Sequence, residues 1–353
     1  ATRTFPYHSL NHDEGVYLQQ AAMLLEGQVF IRPPVEESFR PWFFVDDGGR
    51  LYPKYAPVPA AIFALGKLVG GYRIALVGVA AGTLILVALV VREVFDRRTG
   101  VVAAVIVLCS PLFLIESAVF LPYAPTTMLN LAFAYGYLRA DRTGDWRVAG
   151  AAGAAIGLAF FARPYTAVLF ATPFIIHACW TLRREPRTAL PRQVATATLG
   201  LAGVGLALAY NATVTGSPLM FPYEAFAPRD GLGFGHRQIL DHEIEYTIGL
   251  ALRANARVLA QFVTEWIVGG ILGAAVAAVG VGVTVRRGPS AREGILAGLL
   301  VTIPVGNVYF WGNFNILGDL ERAGDGLIAS HGPYYHFDLL VPVAAFGAVG
   351  ALA

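Results

Sequence analysis

The sequence predicts an all-α, polytopic membrane protein. Hydrophobic residues make up 56% of the 353 residues and charged residues only 14%, whereas ordinary soluble domains have a smaller apolar and a larger charged share. Apolar stretches long enough to cross a hydrocarbon core of ~30 Å recur along the chain. These observations favour a bundle of transmembrane helices.

A window of about 19 residues locates the spans in order. We predict them near residues 72–91, 101–120, 123–138, 148–162, 164–182, 194–212, 264–285, 294–311 and 337–353. No internal repeat or low-complexity linker divides the chain, so a single domain over 1–353 is the simplest organisation. Because the chain begins at Ala1 and ends within an apolar run, we expect it to be a segment of a longer protein, truncated at both ends.

Every second loop between the spans is short and rich in arginine. The four groups are Arg92/Arg97/Arg98, Arg139/Arg142/Arg147, Arg183/Arg184/Arg187/Arg192 and Arg286/Arg287/Arg292. The positive-inside rule places these loops in the cytoplasm. The long segments 1–55, 213–260 and 312–336, which carry acidic, histidine and aromatic residues, are therefore predicted to face outward.

The first outer region, 1–57, precedes the spans and contains an amphipathic segment. Tyr17 and Ala21 lie on one face of a predicted helix from Asp13 to Gln28 that is too short and too polar to cross a bilayer, so we expect it to lie along the interface. An apolar segment over 58–69 is predicted to form a second surface helix or a partly inserted one. A further helix over 239–263 is also expected to lie on the membrane.

Short motifs on the predicted outer side resemble those of one enzyme superfamily. They are Asp13-Glu14 opening the interfacial helix, Tyr52-Pro53-Lys54-Tyr55-Ala56-Pro57, Phe160-Phe161-Ala162-Arg163-Pro164-Tyr165-Thr166, Tyr210 to Tyr223, and Gly332-Pro333-Tyr334-Tyr335-His336-Phe337-Asp338. In their order along the chain and in their predicted side of the membrane, these motifs resemble those of the GT-C superfamily of polyprenyl-phosphate-dependent glycosyltransferases. The most similar members are the relatives of protein O-mannosyltransferases and of the lipid A aminoarabinose transferase, in glycosyltransferase family 39.

The resemblance implies a fold, a reaction and partners. It implies an all-α GT-C bundle in the plasma membrane, with an outer loop that bears interfacial helices. The expected donor is a sugar, a hexose or pentose, on a polyprenyl phosphate, and the acceptor is an extracytoplasmic protein, lipid or cell-envelope glycan. The sugar is expected to be transferred with inversion at its anomeric carbon.

An acidic residue of the first outer loop is the expected base in this family, and Asp13 and Glu14 are the candidate catalytic residues. A carboxylate that accepts the proton of the attacking group contributes ~10²–10⁴-fold to the rate. The structural alternative is that Asn11 caps the helix and both acids favour its first turn. Glu14 lies on a different face from Asp13, which favours a capping or orienting role.

A phosphate leaving group requires cations, and Arg163 and Lys54 are the candidates. A guanidinium can bind phosphate oxygens bidentately, and Arg163 lies where two predicted spans meet on the outer side. The alternative for Arg163 is a side chain that reaches the lipid headgroups. Lys54 on the first outer segment and the accessory candidates His236 and Arg237 on the second are weaker candidates, and a solvated loop charge is the alternative for each. Tyr17 and Tyr334 are further accessory candidates.

Two positions depart from the family pattern. A second acidic residue often precedes a proline after the third helix of the full proteins, whereas this chain has Ala124 before Pro125; Glu116 is the candidate substitute. Where relatives have Gly-Pro-Arg-Tyr, this chain has Tyr334, so one phosphate-binding arginine is absent.

The sequence leaves other sites and functions open. The outer histidines, including His336, leave a divalent metal open, but no familiar ligand spacing occurs, and His336 is also consistent with a hydrogen-bonding role. No glycine-rich nucleotide loop or nucleic-acid patch is present, which argues against a nucleotide-sugar donor and nucleic-acid partners. The alternative function is that of a non-catalytic membrane protein: a transporter, a lipid-binding protein or a degenerate GT-C scaffold. A transporter predicts inverted repeats with broken helices, which the sequence does not display.

Overall fold

The computed structural model describes residues 5, 8–9, 11–32, 41–318 and 326–353. The parts of the predicted outer segments at 1–4, 6–7, 10, 33–40 and 319–325 lie outside the described residues. The helices are α1 Asp13–Leu25, α2 Pro57–Leu68, α3 Tyr72–Val94, α4 Arg97–Leu108, α5 Pro111–Glu116, α6 Tyr123–Thr143, α7 Trp146–Ala162, α8 Pro164–Arg184, α9 Pro186–Thr215, α10 Pro222–Phe226, α11 Ile248–Gln261, α12 Gly270–Arg286, α13 Ala291–Asn307, α14 Gly312–Asn315, α15 Ile328–His331 and α16 Leu340–Leu352. Two antiparallel hairpins complete the fold: β1 Phe44–Asp47 with β2 Arg50–Pro53, and β3 Gly235–Ile239 with β4 His242–Tyr246.

The predicted helical bundle is confirmed. Within the described residues, four helical stretches are long and apolar enough to cross a membrane: 72–94, 164–184, 186–215 and 328–352. A fifth candidate is formed by 248–266 and 270–286, which are bent by 101° at a short break. Of the other predicted spans, 123–138 lies within α6, a continuous helix of 21 residues, and α7 and α13 have 17 residues each. The span predicted over 101–120 is interrupted at Pro111, where α4 and α5 are separated because a proline cannot donate the next helical hydrogen bond.

Two predicted boundaries are wrong. The helix predicted over 239–263 begins only at Ile248, because 235–246 form the hairpin β3–β4. The span predicted over 264–285 is broken before α12, where Gly269 and Gly270 have φ of +74° and +54°, a conformation that glycine adopts without steric cost.

Close helix packing relies on small residues. Gly157 and Gly203 bring the backbones of α7 and α9 together so closely that a Cβ on either residue would overlap the other helix. Such approaches increase dispersion contacts between helices where the surrounding solvent is lipid. Large aromatic side chains, including Phe170, Phe174 and Trp311, fill the interior.

The four arginine-rich loops meet at one end of the bundle. Glu93 accepts hydrogen bonds from Arg142 Nε at 2.8 Å and from Arg139 Nη1 at 3.4 Å. Asp141 forms ion pairs with Arg292 at 3.0 Å and with Arg192 at 3.6 Å. We call this the basic end. Of the helices that begin or end there, α6, α7, α8 and α13 have their other ends at one cavity, which agrees with the alternation of loops predicted from charge.

Candidate active site

A cavity of about 360 Å³ opens at the end of the bundle opposite the basic end. It is enclosed by the start of α1, the segment that follows β2, the start of α6, the turn between α7 and α8, and the loops that flank α10 and α14. Among the described residues, the acidic and basic side chains of its lining are Asp13, Lys54, Arg163, Asp230 and the exposed His12. The predicted base and both predicted cations therefore share one cavity.

Asp13 is the first residue of α1 and is half-buried in the cavity wall. Its backbone N–H donates to Asn11 Oδ1 at 3.0 Å, which satisfies one of the free amides of the first helical turn. Its side chain is hydrogen-bonded to the hydroxyl of Tyr55, whose pKa is raised first by burial and then by the Asp13 charge. The helix start and Tyr55 thus hold this carboxylate toward the cavity.

Glu14 lies outside the cavity lining. Its buried carboxylate accepts hydrogen bonds from the backbone N–H groups of Ser9 at 2.6 Å and of Phe120 at 2.7 Å, and from the Ser9 hydroxyl. It does not form the predicted cap with Asn11. Glu14 instead joins the start of α1 to Ser9 and to the segment before α6.

Lys54 is buried in a cage of aromatic rings. Its Nζ lies 3.7 Å from the ring centre of Phe43, 4.9 Å from that of Tyr55 and 5.1 Å from that of Phe226. Burial lowers the pKa of Lys54, and the charges of Asp13 and Asp230 partly offset that effect. The rings stabilise the ammonium through cation–π contacts without neutralising its charge.

Arg163 occupies the sharp turn between α7 and α8. Its guanidinium carbon lies 4.2 Å from the ring centre of Tyr123 and 5.3 Å from that of Tyr335, and its Nε donates to Thr166 Oγ1 at 3.2 Å. Pro164 follows as the first residue of α8, a position that needs no backbone N–H donor. The planar group is thus fixed by stacking, while no carboxylate lies within ion-pair distance of it in the described part of the chain.

Four of the accessory candidates divide into two groups. Tyr17 and Tyr334 line the cavity, with Tyr17 stacked on Tyr55 at 4.8 Å between ring centres. Glu116 and His336 are buried outside the lining, and neither has a side-chain hydrogen-bond partner among the described residues. Tyr334 occupies the position at which the family pattern predicts arginine. Its ring centre lies 4.4 Å from that of Tyr123, the ring on which the Arg163 guanidinium stacks.

His236 and Arg237 belong to β3 and do not line the cavity. His236 is exposed and its Nε2 lies 3.0 Å from Arg229 Nη1. Arg237 donates to the carbonyls of Leu232 at 2.7 Å and Gly233 at 3.0 Å. Arg237 therefore stabilises the loop that directly follows Asp230.

Asp230 was not predicted as a site residue. It follows α10 in the loop Pro228-Arg229-Asp230-Gly231, where an Asp-Gly pair indicates only a turn. Its Oδ1 accepts a hydrogen bond from Trp311 Nε1 at 2.9 Å, and burial raises its pKa, with Lys54 opposing that effect. No local sequence signal links Asp230 to Trp311, since the two are far apart in the chain.

The described residues do not bring together three His, Cys, Asp or Glu side chains in a group that could hold a metal ion. The carboxylates and imidazoles that line the cavity are those of Asp13, Asp230 and the exposed His12, and two cations share the same lining. These residues by themselves do not fit a resident divalent metal.

Comparisons with known proteins identify similar sequences and folds. Residues 54–222 match a family model described as dolichyl-phosphate-mannose-protein mannosyltransferase. Comparison with curated protein sequences gives no match.

Two solved structures resemble the chain over almost its full length. ArnT from Cupriavidus metallidurans, bound to undecaprenyl phosphate, aligns with a TM-score of 0.60 at 12% identity over 97% of this chain and 56% of that one. The oligosaccharyltransferase AglB from Archaeoglobus fulgidus, with an inhibitory peptide and a dolichol-phosphate, aligns with a TM-score of 0.53 at 14% identity, over 96% of this chain and 46% of that one. The chain therefore spans about half the length of these proteins.

Proposed function

Because the chain has the fold of GT-C membrane glycosyltransferases, we propose that it transfers a sugar from a polyprenyl-phosphate donor to an acceptor. The observation that carries the proposal is the cavity, in which Asp13, Lys54 and Arg163 converge without pairing with one another. In such a transfer, a base accepts the proton of the attacking hydroxyl, and cations stabilise the departing phosphate. The family match over 54–222 supports the same class of reaction.

Arg163 and Lys54 are proposed to bind the donor phosphate. Charge-assisted hydrogen bonds from a guanidinium or an ammonium are among the strong polar contacts in proteins, and both groups are held here by aromatic rings that do not compete for a phosphate. The cations also stabilise the negative charge that develops on the departing phosphate. The aromatic and apolar remainder of the lining suits an isoprenoid chain.

Asp13 is proposed to act as general base. It accepts the proton of the acceptor hydroxyl while the oxygen forms a bond to the anomeric carbon of the sugar. The bond from that carbon to the phosphate oxygen breaks, and its electron pair leaves with the polyprenyl phosphate. A single displacement of this kind inverts the anomeric carbon, and Tyr55 keeps the Asp13 carboxylate in position.

The membrane orientation follows from the charge distribution. The basic end is proposed to face the cytoplasm by the positive-inside rule, so the cavity end faces outward across the plasma membrane. Donor and acceptor are then both extracytoplasmic. The long isoprenoid chain would enter from the bilayer while the sugar lies in the cavity.

The test is sugar transfer in proteoliposomes that contain the full-length protein, offered a panel of polyprenyl-phosphate hexoses and pentoses with cell-envelope acceptors. The Asp13→Asn variant is compared with Asp241→Asn, which alters an exposed carboxylate on the β3–β4 turn. We expect a loss of about 10²–10⁴-fold in turnover for Asp13→Asn and wild-type turnover for Asp241→Asn. Absence of transfer by folded wild-type protein with every donor would favour the non-catalytic alternative.

A further inference from the structure

Asp230 is a carboxylate of the cavity lining that has no role in the proposed reaction. It lines the cavity together with Arg163, Phe221 and Tyr223, and the rings of Phe221 and Tyr223 stack with their centres 5.5 Å apart. Trp311, which is fully buried, fixes one of its oxygens through an indole N–H. An ionised carboxylate can accept about four hydrogen bonds, so Asp230 keeps acceptor capacity for a ligand.

Among the residues that the structure describes, no lysine or arginine side chain lies within ion-pair distance of Asp230. The positive charges of Lys54 and Arg237 oppose the rise in the pKa of Asp230. Lys54, however, is enclosed by aromatic rings, and Arg237 donates its N–H groups to loop carbonyls. Burying a carboxylate without a cation to pair with it costs free energy. A half-buried cavity carboxylate that keeps free acceptor capacity is therefore a candidate for binding substrate.

The charges of the lining restrict what the acceptor can be. Asp13 and Asp230 balance Lys54 and Arg163 in the empty cavity, and a donor phosphodiester adds one negative charge. An anionic acceptor would then enter a cavity with net negative charge and approach two carboxylates, which is unfavourable in a poorly solvated site. A neutral acceptor avoids this repulsion.

We propose that Asp230 binds the acceptor, and that the acceptor is a neutral sugar that presents a hydroxyl to Asp13. This inference rests on the proposed transferase function. Sugar rings combine hydroxyl edges, which Asp230 can accept, with apolar faces, which Phe221 and Tyr223 can cover. Asp230 orients the sugar through a second hydroxyl, while the attacking hydroxyl gives its proton to Asp13 and forms the new glycosidic bond as polyprenyl phosphate leaves.

The kinetic test uses octyl glucoside, octyl mannoside and octyl galactoside as neutral probes, octyl phosphate as the anionic probe and a serine/threonine peptide as the protein-like probe. The wild type in nanodiscs is compared with Asp230→Asn, Asp230→Glu and the control Asp241→Asn. We expect transfer to an octyl glycoside, with KM for that acceptor raised at least tenfold in Asp230→Asn and partly restored in Asp230→Glu. KM for the donor should stay unchanged, which a merely structural role of Asp230 would not produce.

Preferred transfer to octyl phosphate or to the peptide would overturn the inference while leaving the transferase function intact. An unchanged acceptor KM in Asp230→Asn would overturn it as well. If the wild type transfers nothing, the binding of an octyl glycoside is measured directly, because binding needs no turnover. Binding by Asp13→Asn that is lost in the Asp13→Asn/Asp230→Asn double variant would support the sugar site. Absence of such binding contradicts it.

Discussion

Charged side chains at the two ends of the bundle have different surroundings. At the basic end, Glu93 and Asp141 each contact two arginines from neighbouring helices. At the cavity end, Lys54 and Arg163 are surrounded by aromatic rings, and neither forms an ion pair within the described residues. The ion pairs of the basic end join helices, whereas the charges of the cavity remain available to a ligand.

The difference has a physical basis. Two opposite charges that satisfy each other add little to ligand binding, since a ligand would have to break the existing pair. Aromatic rings stabilise a cation by about 0.5–2 kcal/mol and leave its N–H donors free. The chain therefore combines charge pairs that join helices at one end with unpaired charges, for which we propose phosphate binding, at the other.

Replacing an arginine by alanine should lower catalytic activity at the cavity end and leave it unchanged at the basic end. Arg163→Ala removes a proposed phosphate contact, and hydrogen bonds to charged groups contribute about 1.5–3 kcal/mol, so we expect kcat/KM for the donor to fall by about 10- to 100-fold. Arg142→Ala at the basic end should leave kcat/KM unchanged. Steady-state transfer kinetics at several donor concentrations would check both, and an equal loss in the two variants would contradict the comparison.

Glu93→Ala should reduce stability rather than activity. The carboxylate is almost fully buried, whereas its partners Arg139 and Arg142 have side-chain exposures of 39% and 47%, so both arginines keep part of their hydration when the pair is lost. We expect a loss of about 1–2 kcal/mol, visible as a lower melting temperature in nanodiscs. Turnover per folded molecule should match the wild type, and the exposed Glu26→Ala serves as control.

Tyr55→Phe isolates the hydrogen bond to Asp13. The phenylalanine ring preserves the contacts with Lys54 and Tyr17 and removes only the hydroxyl. A single hydrogen bond contributes about 0.5–1.5 kcal/mol, so kcat should fall about 2- to 10-fold at unchanged donor KM. Tyr52→Phe, which alters a buried tyrosine outside the lining, is the matched variant and should behave as wild type.

Lys54→Arg should change the pH profile more than the activity at neutral pH. Burial lowers the pKa of Lys54, and the protonated form binds phosphate, so donor affinity is present below that pKa and is lost as pH rises through it. The alkaline fall of kcat/KM should therefore begin below the ordinary lysine range. Arginine stays charged, so the variant should lose this fall; an unchanged alkaline limb would remove Lys54 from donor binding.

Much of this arrangement follows from the sequence, and the remainder depends on distant contacts. The alternation of arginine-rich loops predicted which helix ends meet, and the motifs around Lys54 and Arg163 identified these residues as candidates to bind the same phosphate. The hairpin β3–β4 was missed because short alternating segments such as His242-Glu243-Ile244-Glu245-Tyr246 fit either a strand or the start of an amphipathic helix. Asp230 was missed because its significance depends on Trp311, which only the folded chain brings near it.

The most direct test of the contrast between the two ends is the dissociation constant of undecaprenyl phosphate, measured in nanodiscs for the wild type and Lys54→Met together with the melting temperatures. Methionine fills the aromatic cage without a charge. We predict that Lys54→Met binds at least tenfold more weakly and melts no lower than the wild type, because the removed charge was buried without an ion-pair partner. Wild-type affinity, or a fall in melting temperature comparable to that of Glu93→Ala, would contradict this account.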